Sequence, residues 1–214
     1  MAMKLVGMLD SPYVRRVAVC LDVLGVPFEH EAVSVFSTFE RFQLINPVVK
    51  APTLVCDDGG ILMDSALILQ YVEATGATAS PLWDTVPEAR LLQFRRVAYA
   101  SAACEKVVQL AYEMQLRPPE AQHEPWKSRV RGQFRAAFQA LEALTPDFET
   151  GVDTQHLNHA SIWSAIVWQC ARSLIPDEIS PAVHPKLDRL SALFEALPVF
   201  RRYPPVGPGV PAPT

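Results

Sequence analysis

The chain has 214 residues, of which half are hydrophobic and a fifth are charged, and its formal net charge is −4. This length allows one large or two small domains with a real core. No long run of like charges occurs, so the sequence does not indicate a nucleic acid or an anionic membrane as partner. The N-terminus lacks the basic head and apolar stretch of a signal peptide, and no apolar window of about 18 residues occurs. We therefore expect a soluble, cytoplasmic protein.

The first part of the chain predicts a strand, a helix and a second strand. Residues 4–9, KLVGML, are typical of a short buried strand. Ser11-Pro12 is a strong helix start, and Gly25 ends that helix. Residues 27–33 alternate in polarity as a second strand does. The apolar face of the helix consists of Val14, Val17, Ala18, Leu21 and Leu24.

A second helix, a hairpin and a third helix follow. Residues 37–46 predict a short helix that stops before Pro47. The runs TLVC and ILM, separated by DDGG, predict a β-hairpin. Asp64-Ser65 begins a helix that Gly76 ends. The order βαβαββα predicts a small mixed sheet with helices on both faces.

The remainder of the chain carries no strand signal. Residues 75–87, TGATASPLWDTVP, form a plausible linker, and a long helix follows Pro87. Further helices are predicted at about 126–144, 158–174 and 187–197. The helix at 158–174 is apolar nearly all round and hence central. Small residues on the long helix would let another helix approach closely: Ala98, Ala100, Ser101, Ala102 and Ala103.

The predicted fold class is therefore α/β plus all-α. The predicted domains are residues 1–77, a helical domain at 86–204, and a Pro-rich tail at 205–214 that is extended or mobile.

The cysteine and histidine patterns favour structural roles. The four cysteines are far apart, form no CxxC pair and lie in apolar surroundings, as buried cysteines do; they are Cys20, Cys56, Cys104 and Cys170. His156 and His159 could share a helix face, but without a third ligand they are weak evidence for a metal site.

Three short segments could converge from separate elements: Ser11-Pro12, Ala51-Pro52 and Asp64-Ser65. Ser11 lies where a helix N-terminus favours negative charge, yet it could equally be a plain N-cap. Sequence alone favours a trans Ala51-Pro52 bond. Asp64-Ser65 could be a helix start, or could hold the ammonium and carboxylate of an amino-acid head group.

The three segments together resemble the cytosolic glutathione transferases. The similar blocks are SPYVRRV at 11–17, NPVVKAP at 46–52 and DSALILQY at 64–71, followed by helices alone. The resemblance covers nearly the whole chain. It implies a thioredoxin-like N-terminal domain, an all-helical C-terminal domain, a homodimer, and glutathione as co-substrate without a metal.

The resemblance also implies residue roles. The γ-glutamyl head of glutathione would lie on Asp64 and Ser65, and its cysteinyl backbone would pair with Ala51 beside a cis-Pro52. Its glycyl carboxylate could meet Lys50, and its sulfur would point at Ser11. A hydroxyl donor at a helix N-terminus favours a thiolate over a thiol.

The match departs from the family pattern at three places. Ala51 replaces the usual Val, Val49 stands where Gly is common, and Asn158 with Ser161 replaces the usual capping residues of the central helix. A serine at the thiol-facing position is most similar to bacterial serine-type members. The electrophile pocket would lie between the domains.

The candidate pocket residues are Tyr13, Tyr99 and Ala103. Two functions remain open from the sequence. One is an enzyme that transfers glutathione to small electrophiles, and the other is a non-catalytic relative that binds or regulates a partner.

Overall fold

The computed structural model describes residues 3–76, 81–148 and 151–211. Within these residues the chain packs as two compact units, which divide between Leu82 and Trp83 and again between Leu197 and Pro198, so that segment 198–209 belongs to the first unit. Linker residues 77–80 and tail residues 212–214 lie outside the described residues. The proposed domain limits at 77, 86 and 205 stay a prediction.

The first unit contains a four-stranded sheet and four helices. In chain order its elements are β1 (Lys4–Val6), α1 (Pro12–Val23), β2 (Glu29–Glu31), α2 (Phe39–Ile45), β3 (Thr53–Val55), β4 (Ile61–Met63) and α3 (Ser65–Ala74), and α8 (Pro198–Arg202) joins them from the end of the chain.

The sheet has the order β2-β1-β3-β4. β1 and β2 are parallel, whereas β3 is antiparallel to both β1 and β4. This mixed arrangement matches the prediction, although the strands are shorter than the sequence pattern indicated. A βαβαββα order around such a sheet is the thioredoxin-like arrangement, so the predicted fold class is confirmed.

Apolar side chains cover both faces of this sheet. Val6 packs in a buried cluster with Val33 and Phe42 of α2. Because side chains alternate along a strand, Leu5 and Leu54 point to the opposite face, and both are fully buried. Every residue of the apolar face predicted for α1 is likewise fully buried.

The second unit is helical. Its helices are α4 (Pro87–Leu116), α5 (Glu124–Leu144), α6 (His159–Leu174) and α7 (Pro185–Glu195), with 3₁₀ turns at Pro119–Ala121, Thr154–His156 and Pro176–Glu178. α6 packs against both α4 and α7 and is buried on nearly all sides, as its composition predicted. The small side chain of Ser101 on α4 accepts a 2.9 Å hydrogen bond from Nε1 of Trp163 on α6.

α8 was not predicted, because five residues are too few to show a helical period. Within the first unit, α8 and the segment after it pack against α1. Arg15 Nε donates to the Tyr203 carbonyl at 2.7 Å, and Arg202 Nε donates to Asp22 at 2.7 Å. The Gly209 N–H donates to Asp10 at 2.8 Å. The tail is therefore irregular, as expected, yet it has specific contacts up to Gly209.

No helix in the described part of the chain combines the length and the apolar character that crossing a membrane requires.

Gly7, immediately after β1, has a steric role that the sequence analysis missed. Its φ of +141° lies outside the range that L-residues prefer. An added Cβ would lie 2.6 Å from Cγ2 of Val14 and 3.1 Å from Cβ of Ala51. Glycine therefore allows the start of the β1–α1 connection to lie directly against Ala51.

We predict that Gly7→Ala lowers the free energy of unfolding by about 1–3 kcal/mol, because both the backbone and Val14 must shift. Chemical denaturation measures this change. Gly59→Ala is the matched control, since Gly59 also has positive φ, +84°, but an added Cβ meets nothing within 4 Å. Equal losses in the two variants would show that close packing at Gly7 is unimportant.

Candidate functional site

The register of the sheet brings the three candidate segments to one edge. Val6 pairs with Thr53, and Thr53 pairs with Met63. The segment that leads from β1 to Ser11 therefore starts at the same edge where Pro52 enters β3 and Asp64 leaves β4. Residues that are far apart in sequence become neighbours because these three strands are aligned at their ends.

Ser11 is the N-cap of α1 and is partly exposed. Its Oγ accepts from the Val14 N–H at 3.5 Å, which is beyond the usual range for a strong hydrogen bond. The capping interaction is therefore weak, and the hydroxyl can also interact with a ligand at the positive end of a helix.

A buried polar network holds the loop that precedes β3. The Asn46 side chain is nearly inaccessible, and its Nδ2 donates to Thr53 Oγ1 at 2.8 Å. Thr53 Oγ1 in turn donates to the Lys50 carbonyl at 2.7 Å. Asn46 Oδ1 accepts from the Val48 N–H at 3.0 Å. These bonds fix the backbone from 46 to 53.

The same loop contains two unusual backbone conformations. The Ala51-Pro52 bond is cis, as the family resemblance implied, so the trans bond expected from sequence alone is wrong. Val49 has a φ of +52°, in the left-handed region where a β-branched residue is rare. The family's usual glycine at this position would suit that conformation, and Val49 retains it with its side chain packed against the Val6, Val33 and Phe42 cluster.

Asp64 and Ser65 form the start of α3. Asp64 has a φ of +75°, and its Oδ1 accepts from the Ala66 N–H at 2.9 Å. Its carboxylate is exposed, and only Oδ1 has a hydrogen bond within the described residues. Ser65 is 4% exposed, and its hydroxyl has no hydrogen-bond partner in the described part of the chain. Left-handed backbone in a non-glycine residue concentrates at functional sites.

The other predicted site residues differ in their accessibility. Lys50 is exposed, and Ala51 is partly exposed. Tyr13 lies in the first turn of α1 and is partly exposed. Tyr99 and Ala103 belong to α4 in the helical unit, where Tyr99 is 36% exposed and Ala103 is fully buried.

The cysteines do not supply a reactive thiol near Ser11. Cys20 lies inside α1 with no exposed surface, and burial raises the pKa of its thiol to about 12 despite a smaller opposing effect of Arg16. Cys104 and Cys170 are also buried, and Cys56 is partly exposed. Burial and the nearby Asp58 and Asp57 raise the pKa of the Cys56 thiol. Since the thiolate is the reactive form, none of these shifts favours nucleophilic chemistry.

The two histidines considered for a metal have other neighbours. His156 contacts Asp153 at 2.8 Å, and the His159 ring lies 4.4 Å from the Trp83 ring. Within residues 3–76, 81–148 and 151–211, no three His, Cys, Asp or Glu side chains form a cluster suited to a metal ion.

The sequence of the first unit matches a known family. Residues 5–80 fit the family profile described as the glutathione S-transferase N-terminal domain. The chain is 26% identical over 81% of its length to the uncharacterized GST-like protein YibF of Escherichia coli, and the alignment covers 85% of YibF. Glutathione S-transferase U8 of Arabidopsis thaliana is also 26% identical, over 66% of this chain and 58% of the plant protein.

Solved structures agree with this match. A glutathione S-transferase from Methylobacterium radiotolerans, in complex with glutathione sulfonate, superposes over 100% of both chains with a TM-score of 0.86 and 27% identity. A glutathione transferase family member from Pseudomonas fluorescens Pf-5, with bound glutathione, superposes with a TM-score of 0.82 and 26% sequence identity. The superposition covers 96% of this chain and 100% of the other. The chain is therefore similar to glutathione S-transferases over nearly its whole length, and its residues 5–80 match their N-terminal domain.

Sequence reasoning missed the residues that support the site. Gly7, Asn46 and Thr53 are buried and uncharged, so they carry no chemical signal of their own. The available signals were Asn46-Pro47 after a helix and Gly7 after a strand, and both are also common in ordinary turns.

We predict that Asn46→Ala lowers the free energy of unfolding by about 1–3 kcal/mol, because it removes the donor to the Thr53 hydroxyl oxygen and leaves the Val48 N–H without its acceptor. A double-mutant cycle with the nearly isosteric Thr53→Val, followed by urea denaturation, measures the coupling. We expect the double variant to be more stable than the sum of the single losses implies. If the losses of unfolding free energy in the two single variants simply add in the double variant, the two side chains are not coupled and the network is contradicted.

Proposed function

We propose that this protein is a glutathione transferase of the bacterial serine type, in which the thiolate of glutathione attacks small electrophiles. The observation that carries the proposal is the alignment of Val6, Thr53 and Met63, which supports a single site formed by the Ser11, Lys50–Pro52 and Asp64–Ser65 segments. The similar Methylobacterium structure contains glutathione sulfonate, and the similar Pseudomonas structure contains glutathione. Both support glutathione as the ligand of this chain.

The head group of glutathione matches the chemistry at the start of α3. Asp64 offers a carboxylate with an oxygen that no other described residue uses, and it would pair with the γ-glutamyl ammonium. Ser65 offers a hydroxyl without a partner at the N-terminus of a helix, and both would favour the γ-glutamyl carboxylate.

The middle and the far end of the tripeptide would meet the preceding loop. Neither the N–H nor the carbonyl of Ala51 takes part in a hydrogen bond between described residues. They are therefore open to pair with the cysteinyl backbone as a short strand would. The exposed ammonium of Lys50 is suited to the glycyl carboxylate.

Ser11 is the proposed catalytic residue. A free thiol has a pKa of about 8.5, so little thiolate exists at neutral pH. A hydroxyl that donates to the sulfur, together with the positive end of α1, stabilises the thiolate and lowers that pKa. Each pKa unit requires about 1.4 kcal/mol of preferential stabilisation, which one charge-assisted hydrogen bond can supply.

Several parts of the proposal extend beyond the thiol site. We expect Tyr13, Tyr99 and Ala103 to contribute to the electrophile pocket, although the complete burial of Ala103 requires a movement or a backbone contact there. We also expect a cytoplasmic homodimer that acts in detoxification. The second candidate function is glutathione binding without turnover, which the same head-group contacts would permit.

The head-group assignment predicts a specific pair of variants. Asp64→Asn retains an oxygen for the Ala66 N–H and tolerates left-handed backbone, but it loses the charge. We expect it to weaken glutathione binding in calorimetry by about 1–3 kcal/mol, with little loss of thermal stability. Asp64→Ala should lose both binding and stability. Unchanged affinity in Asp64→Asn would contradict the ammonium contact.

The catalytic assignment predicts a change in rate rather than in affinity. Ser11→Ala should slow the conjugation of a generic aromatic halide by roughly tenfold to a thousandfold, the range for one lost donor in a shielded site. Because the variant raises the pKa of bound glutathione, its remaining activity should rise toward higher pH than in the wild type. Glutathione affinity should change little, since other residues hold the head group.

Two controls make this test decisive. Ser11→Thr keeps a hydroxyl and a capping group, so we expect partial activity. Ser11→Asp keeps a capping acceptor but has no hydrogen to donate to the sulfur, so it should be no more active than Ser11→Ala. If Ser11→Ala keeps the full rate and pH profile of an active wild type, Ser11 is only an N-cap. If the wild type binds glutathione but turns over no electrophile in a broad panel, the second candidate function, glutathione binding without turnover, is correct.

A further inference from the structure

The helical unit contains a cavity that the proposed transferase site does not use. Its volume is about 270 Å³, and the described residues around it include Arg96 of α4, Asp147 and Phe148 after α5, and His156, Asn158 and Ser161 at the start of α6. A water molecule occupies about 30 Å³ in the liquid, so the cavity has room for several waters or for a small organic ion.

Arg96 is the unusual residue of this cavity. It is only 5% exposed, yet its Nε and Nη2 atoms have no hydrogen-bond partner among the described residues. No ion pair or hydrogen bond connects Arg96 with any described residue. Burial alone lowers the pKa of its guanidinium to about 10, so the side chain is still charged at neutral pH. A buried charge without a partner is strongly destabilising, and proteins rarely retain one.

The two unpaired nitrogens define the shape of the missing partner. Nε and Nη2 lie along one edge of the planar guanidinium, where their N–H groups point in the same direction. This pair donates two parallel hydrogen bonds to two oxygens on one carbon or phosphorus atom. A carboxylate or a phosphate has this arrangement of oxygens, whereas a single-atom ion does not.

The start of α6 adds to the preference for an anion. Asn158 Oδ1 accepts from the Ser161 N–H at 2.9 Å, and Ser161 Oγ accepts from the Asn158 N–H at 3.1 Å. The capping box is therefore complete without any acidic side chain. The positive end of this 16-residue helix lies at the cavity wall without a carboxylate from its own first turn.

Of the acidic side chains that the structure describes near the cavity, neither neutralises Arg96. Asp153 is paired with His156 at 2.8 Å. Asp147 lines the cavity but is exposed, and it makes no ion pair with Arg96. From the open edge of Arg96, the cavity and the helix start, we propose that the helical unit binds a small oxyanion of the carboxylate or phosphate class.

The first experiment follows Arg96 directly. In a protein labelled with ¹⁵N-arginine, the Nε–Hε signal of Arg96, assigned with Arg96→Lys, is recorded during titration with sodium phosphate, sodium acetate or sodium chloride at equal ionic strength. We expect a saturable shift with phosphate, acetate or both, and the stronger salt identifies the class. No saturable shift with either, or an equal shift with chloride, overturns the proposal.

The second experiment measures thermal stability in the same salts. Binding to the folded state should raise the Tm of the wild type by about 2–4 °C over chloride. Arg96→Lys keeps the charge but loses the two-pronged edge, so it should lose most of this rise. Ser65→Ala changes the other unit and should keep it, which separates this site from an anion held at the proposed glutathione site. A rise that survives in Arg96→Lys or disappears in Ser65→Ala overturns the proposal.

Two further variants test whether the protein supplies its own partner. Ser161→Asp places a carboxylate at the cavity wall, so we expect it to remove the oxyanion effect without lowering the Tm in chloride. If Asp147 pairs with Arg96 in solution, oxyanions will change neither the Arg96 signal nor the Tm of the wild type. Both will then respond to oxyanions in Asp147→Asn. That result would replace the proposed site with an internal ion pair.

Discussion

The alignment of Val6, Thr53 and Met63 across three strands is the constraint on which the candidate site depends. It places the ends of β1 and β4 and the start of β3 at one edge of the sheet. Side chains alternate between the two faces, so a slip of one residue in β3 would move Leu54 and Val55 to the opposite faces and disrupt the packing of both. The buried core therefore holds the register, and the register in turn fixes where the segments that contain Ser11, Pro52 and Asp64 meet the sheet.

The elements of this fold were predictable where burial imposes a clear period. The apolar face of α1, the hairpin and the all-round apolar α6 each have a pattern that few other structures share. The short strands, the five-residue α8 and the docking of the tail on Asp10 were not predictable in detail. The strands have only three residues each, too few to show a period, and the segment from α8 onward is held by contacts between residues 180 to 199 positions apart, which leave no periodic trace in the sequence.

The candidate site was predictable only in part, for a different physical reason. Ser11, Asp64 and Ser65 are ordinary helix-start residues, and only their order along the chain and their family resemblance indicated a ligand. Left-handed backbone at Asp64 and Val49, and the hydrogen bonds between Asn46, Thr53 and Lys50, are properties of the folded chain. The open guanidinium edge of Arg96 is also invisible in sequence, because any of several carboxylates could have paired with it.

The segment from Pro198 to Gly209 has a consequence for the order in which the protein is made. Arg15 is 1% exposed in the first unit, and its contacts include the Tyr203 carbonyl and the Phe200 ring, which lies 5.4 Å away. A nascent chain that has emerged from the ribosome only as far as Leu82 lacks both. The first unit can thus begin to fold early, but it reaches its native packing only after the whole helical unit has been synthesised.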